Sequence, residues 1–187
     1  MSENKGFDAI RCYCRFLNGD NAALERLVQE YSDALIRFAY CYVKNTAIAE
    51  ELMEDAFAAL IVKKRRFDGT DNLRAYLYKT VRNKCMDYLR AYKKQVPLAD
   101  VEHVLVGEGT ERALLRKENR RAVYEALQNL PAQYREILYL TYFEEYSAED
   151  AARLLKCNKK QIYNLLHRAR TSLKELLIQE GISYENL

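Results

Sequence analysis

Between 151 and 174 the chain carries Arg153, Lys156, Lys159, Lys160, Arg168, Arg170 and Lys174, and neither Asp nor Glu. Glu144, Glu145, Glu149 and Asp150 lie immediately upstream, so the two signs of charge are segregated. Ammonium and guanidinium groups bind phosphate oxygens, and Gln, Asn and Tyr carry groups that reach base edges. Lys159, Lys160, Gln161, Tyr163, Asn164, His167 and Arg168 therefore offer both kinds of contact within about three helical turns. A second mixed cluster lies at 72–92, where Arg74, Lys79, Arg82, Lys84 and Arg90 are interleaved with Tyr76, Tyr78, Tyr88 and Tyr92. Cations can hold a nucleic-acid backbone while rings stack on unpaired bases. The same rings also suit a helical core, so mixed use is expected, with roughly half of them buried. A third cluster, Glu50, Glu51, Glu54 and Asp55, reads by itself as a solvated helix face.

The elements that must position these groups are helical. Ser147 stands three residues before Asp150, as in a capping box, and opens a short helix containing Ala151, Ala152, Leu154 and Leu155. After Lys156 and Cys157, Asn158 can cap a longer helix, with Gln161 placed to reach back to it. Ile162, Leu165, Leu166, Ala169, Leu173 and Leu176 continue that helix at three- and four-residue steps. Short helix, tight break and longer helix make a helix-turn-helix, whose second helix would hold the basic cluster. A solvated basic helix on an ordinary bundle is the competing reading of the same charges.

Upstream, Leu24, Leu27, Val28, Tyr31, Leu35 and Phe38 form one stripe over Asn21–Val43, with Asp20 or Asn21 as cap. Thr46 is expected to cap a second helix that faces inward through Ala49, Leu52, Met53, Ala56, Phe57, Leu60 and Ile61. KKRR at 63–66 suits its C-terminus. Residues 67–72 carry turn chemistry, and Asp71 is expected to cap a helix running to about Tyr92. From 93 the periodicity fails, and Pro97, Gly107 and Gly109 mark a linker. A helix restarts at 111–129, and Pro131 is expected at the first position of another over 132–143. The expected fold is all-α, with two small helical domains, 1–92 and 114–187, joined by a flexible linker at 93–113. The second domain is the helix-turn-helix.

The 187 residues are 49% hydrophobic and 30% charged with only 6 Gly and 2 Pro, which excludes a mainly disordered chain and leaves little turn material for an all-β one. No apolar run approaches the roughly 18 residues needed to cross a bilayer, and the N-terminus lacks a signal-peptide layout, so a cytoplasmic protein is expected. Five Cys without a CxxC pair read as reduced thiols, and two His leave almost nothing for a metal site. A Gly-rich phosphate loop, an HExxH helix and a nucleophile elbow are all missing from the sequence, so neither an enzyme nor a cofactor is expected. The net charge of +3 hides a division in which 1–90 hold 15 cations against 13 acids and 116–187 hold 12 against 10.

GDNAALERLVQEY, AEELMEDAF, FDGTDNLRAYLYKTVRNKCMDYLR and LPAQYREILYLTYFEEYSAEDAARLLKCNKKQIYNLLHRAR, in that order, resemble the extracytoplasmic-function (group 4) sigma factors of bacterial RNA polymerase. The likeness covers about four-fifths of the chain. It implies a transcription initiation factor that binds core polymerase at the clamp helices of the largest subunit and at the flap, selects promoters and assists melting. Glu50, Glu51, Glu54 and Asp55 would lie on the polymerase-binding helix, with Glu54 where Gln is common. Asn72, Tyr76, Arg82, Asn83, Lys84, Asp87 and Arg90 would serve the minus-ten element, and the loop 67–72 resembles one that captures a flipped base. Tyr76 stands where Trp is common. Arg153, Lys156, Lys159, Lys160, Gln161, Tyr163, Asn164, His167 and Arg168 would serve the minus-thirty-five element. Lys156 replaces a turn Gly and is expected to be left-handed, while Leu165 replaces a frequent basic residue. The resemblance further implies an anti-sigma partner, often membrane-bound. The runner-up, a stand-alone helix-turn-helix regulator, leaves KTVRNKCMDYLR without a purpose.

Overall fold

The computed structural model describes residues 7–95, 123 and 126–179. Every regular element among them is a helix, and the chain divides into two compact units, Met1–Gly107 and Glu108–Leu187. The linker from 96 onward, and all but 123 and 126–129 of the helix expected at 111–129, lie outside the described residues.

The first unit begins with α1 (Ala9–Leu17), a helix the apolar stripes had not marked. Asp8 caps it by accepting a hydrogen bond from the Arg11 N–H at 3.0 Å, and Tyr13 and Phe16 are its buried anchors. α2 (Asn21–Val43) is capped by Asp20, as its sequence predicts. It ends on Lys44, left-handed at φ 50°. In α3 (Thr46–Lys63) the cap is Asn45, whose Oδ1 accepts the Ile48 N–H at 3.1 Å, and Thr46 is the first helical residue instead. Asn and Thr are both good caps, and the residue holding the extended conformation decides which acts. α4 (Thr70–Gln95) starts two residues before the expected position, so Asp71 sits in its first turn and complements the helix dipole rather than capping it. It also carries helix three residues into the segment read as linker.

α2 packs against α1, α3 and α4, and α3 against α4. Leu27, Leu35, Phe38, Leu60, Leu73, Leu77 and Tyr78 are fully buried between them. The Phe38 ring meets Tyr42 at 5.7 Å and Tyr78 at 5.0 Å, both edge to face, an arrangement favoured by ring quadrupoles.

In the second unit, a helical stretch at 126–129 leads to Pro131, which stands just before α5 (Ala132–Tyr142) rather than as its first residue. α6 (Ala148–Leu155) and α7 (Lys159–Gln179) follow, and each of these three helices packs on the other two. Their core holds Leu130, Ile137, Leu138, Ala151, Ala152, Ile162, Leu166 and Ala169. The small side chains of Ala151 and Ala152 allow α6 and α7 to cross closely. Unforeseen in the sequence, Arg135 and Glu136 are buried as well, at 7% and 2% exposure. The Arg135 guanidinium donates to the carbonyls of Gln128 (3.0 Å) and Leu130, closing carbonyls at the end of the preceding helical stretch.

Candidate nucleic-acid and polymerase interfaces

One cap opens α6, and the break between α6 and α7 is built from a left-handed residue and a second cap. The Ser147 Oγ accepts the Asp150 N–H at 3.1 Å and donates to the Asp150 carboxylate at 2.5 Å. At the head of α7 the capping box is complete: Asn158 Oδ1 accepts the Gln161 N–H and Gln161 Oε1 accepts the Asn158 N–H, both at 2.8 Å. Lys156 is left-handed at φ 56°, as expected where a Gly is usual, and the N–H groups of Lys156 and Cys157 both donate to the Ala152 carbonyl. This turn sets the angle at which α7 is presented.

On α7, Ile162, Leu166 and Ala169 face the core. Lys160, Asn164 and His167 recur at four- and three-residue steps and form the exposed ridge opposite, flanked by Tyr163 on one side and Gln161 and Arg168 on the other. Seven of the nine residues assigned to the upstream element thus lie on this helix, with Arg153 exposed on α6 and Lys156 exposed in the turn. Two of the cations already have acidic neighbours: Lys159 pairs with Glu149, and Arg153 with Asp150. The Lys159 ammonium holds the Glu149 carboxyl below the usual carboxylate range, and in return Glu149 raises Lys159. Asp150 is lowered first by the Ser147 hydroxyl and then by Arg153. Lys159 also lies 5.9 Å from the Tyr163 ring, which is 54% exposed. Gln161 spends its carbonyl on the cap, so its amide N–H groups are what it can offer outward.

In the first unit, Asn72, Tyr76, Asn83, Asp87 and Arg90 share one face of α4 by helical spacing, and Lys79 falls in the same row. Lys79 is exposed on the same side as those residues. Arg82 and Lys84 flank the row on either side. Lys84 donates to Asp55 at 2.6 Å, so a residue assigned to DNA and one assigned to polymerase are paired with each other across α4 and α3. Arg90 donates to Asp87 at 2.6 Å within α4. Of the tyrosines, Tyr78 is buried outright and Tyr76, Tyr88 and Tyr92 are half-buried. Tyr88 and Tyr92 stack at 6.2 Å, and burial followed by the neighbouring Tyr92 pushes the Tyr88 phenol up. Tyr76 is not an open stacking platform, because its ring lies 5.2 Å from Phe67 and its hydroxyl is buried.

Glu50, Glu51, Glu54 and Asp55 are all exposed on one side of α3. The row Glu51, Asp55, Ala58 and Val62 continues that side into an apolar end, with Val62 81% exposed. Ala58 and Val62 lie outside the inward stripe of α3, and as isolated apolar residues they carry no sequence signal that would join them to the acidic cluster. Among the described residues no group of His, Cys, Asp and Glu is arranged to hold a metal ion, and no helix is long and apolar enough to cross a membrane.

A helix-turn-helix with a cationic second helix, beside a separate four-helix unit whose α4 carries a mixed row of cations and rings, has the make-up of a nucleic-acid-binding protein. Comparison gives the class. Sigma-70 region 2 matches residues 27–95 and Sigma-70 region 4 matches residues 120–173. Together they span about two-thirds of the 187 residues, and the chain belongs to the sigma-70 family. Among its relatives are the ECF RNA polymerase sigma factor SigM of Bacillus subtilis, 27% identical over 82% of this chain and 94% of the relative, and the RNA polymerase sigma-H factor of Pseudomonas aeruginosa, 28% identical over 87% and 90%. The sigma factor RpoE of Bartonella quintana, solved in complex with the anti-sigma factor NepR, superposes with a TM-score of 0.65 at 25% identity, over 82% of this chain and 96% of that one. CnrH, solved with the cytosolic domain of CnrY, gives 0.65 at 25% identity over 92% and 99%. The chain is an extracytoplasmic-function sigma factor, a transcription initiation factor and not an enzyme.

Proposed function

We propose that this sigma factor, of the group 4 subdivision, acts in the cytoplasm as the dissociable specificity subunit of RNA polymerase and assists melting of the promoter it selects. In this reading residues 1–92 dock the α3 face, from Glu50 to Val62, on the clamp helices, and present the α4 row to the minus-ten element. Residues 114–187 seat α7 in the major groove of the minus-thirty-five element and contact the flap, and 93–113 tether the two.

The observation that carries the proposal is the exposed ridge of α7, Lys160, Asn164 and His167 with Tyr163 and Arg168 beside it, on the second helix of a helix-turn-helix. Opening duplex DNA costs about 1.4 kcal/mol of stacking per base-pair step. Stacking an unpaired base on an aromatic ring returns about 1–3 kcal/mol, so a few captured bases offset a short bubble. An anti-sigma partner is part of the proposal, supported by the RpoE–NepR complex of a structural neighbour.

Transcription in vitro tests it. Core polymerase plus this protein should initiate from promoters that it selects out of a randomised library, with no other sigma factor present. Initiation that still required a separate sigma factor would instead favour a stand-alone regulator.

A further inference from the structure

We infer that Tyr13, on α1, is a positioning residue for the capture of unpaired promoter bases: through Phe67 it holds the loop that leads into the α4 row. The inference rests on the assignment of α4 to the minus-ten element. It concerns a helix outside the matched region 2 segment, which begins at residue 27.

The chain leaves α3 at Lys64, left-handed at φ 43°, and enters α4 at Thr70. Between them Arg65, Arg66 and Asp68 are exposed, whereas Phe67 is half-buried. Its ring lies 5.5 Å from Tyr13 and 5.2 Å from Tyr76, tilted by 57° and 55°, so it is held between α1 and α4. Tyr13 has 0% exposure and is backed on its own helix by Phe16 at 6.0 Å. The Arg65 guanidinium lies 6.0 Å from the Phe67 ring. A short loop with one ring as its anchor keeps its shape only while that ring is seated, and a loop held in its binding shape avoids the entropy of ordering on contact. The Tyr13 hydroxyl is buried with no hydrogen-bond partner among the described residues, so the aromatic ring does the holding.

The test uses holoenzyme and a single-stranded oligonucleotide carrying the minus-ten sequence of a selected promoter, intact or with one abasic position at a time. For the wild type, one abasic position should cost about tenfold in affinity, the scale of one stacked base. Tyr13→Leu should lose about tenfold on the intact strand and nothing more at that position, because the loop no longer captures the base. Phe67→Leu should show the same pattern without touching α1, and carries the test if Tyr13→Leu lowers helical content. Tyr13→Phe should match the wild type, and core affinity and duplex upstream binding should be unchanged in all three variants. Leucine variants that bind the intact strand like the wild type would overturn the inference. So would a loss that adds to the abasic loss or travels with core affinity, because that marks a merely structural role. A wild type indifferent to every abasic position would overturn the minus-ten assignment itself, and the inference with it.

Discussion

Lys156 holds a backbone conformation that costs an L-residue about 1–2 kcal/mol, and its side chain is exposed beside α7. Its two roles can be separated by Lys156→Gly. Glycine tolerates the left-handed turn but loses more chain entropy, so a net gain of about 0.5–1 kcal/mol is expected in the unfolding free energy, read by chemical denaturation. The same variant loses a cation that the proposal assigns to the upstream element, and the slope of log affinity against log salt for upstream duplex DNA should fall by about 1. Arg135 behaves in the opposite way. Its guanidinium is buried and closes two carbonyls, so Arg135→Met should destabilise the second unit by about 2–3 kcal/mol, read by chemical denaturation. No base contact is lost there, so DNA affinity per folded molecule should be unchanged.

The helix-turn-helix depends on caps that also shape its electrostatics. Ser147→Ala removes the α6 cap and should cost about 1 kcal/mol at neutral pH. Asp150, lowered by that serine, favours the folded state when ionised. Its contribution is fully present above the unfolded carboxylate pKa and is lost as pH falls through the lower folded value. Stability of the second unit should therefore decline below about pH 4, and less steeply in Ser147→Ala, in a pH series of thermal melts. The ridge of α7 makes a different prediction. Lys160→Ala with Arg168→Ala should weaken upstream duplex binding and lower its salt slope by about 2, while core binding persists. Equal loss of both would identify a folding defect.

At the scale of the molecule, selection by two units on one chain depends on effective concentration. Docking one unit raises the local concentration of the other, by an amount that falls roughly as the −3/2 power of tether length. Inserting ten Gly and Ser residues into the proposed 93–113 tether should therefore reduce promoter occupancy only about twofold, in a titration of holoenzyme on the intact promoter. A far larger loss would mean that the segment does more than tether.

The sequence by itself determined the all-α class and the bounds of α2, because a long apolar stripe with an acid at its cap has one economical solution. It also determined the helix-turn-helix, down to the Asn158–Gln161 box, because caps are set by residues a few positions apart, whereas the left-handed Lys156 followed only from the resemblance, in which a Gly is usual there. Tertiary structure decided what depends on distant partners. It turned Tyr76 from a free ring into the wall of Phe67, and paired Lys84 with Asp55 across two helices. It buried Arg135 against the carbonyls of Gln128 and Leu130, which the turn ahead of α5 brings beside it. It also made α1 an element, since a nine-residue helix is marginal alone and forms here because Tyr13 and Phe16 have a core to enter. Local chemistry is written along the chain, whereas burial and pairing exist only between segments that folding brings together.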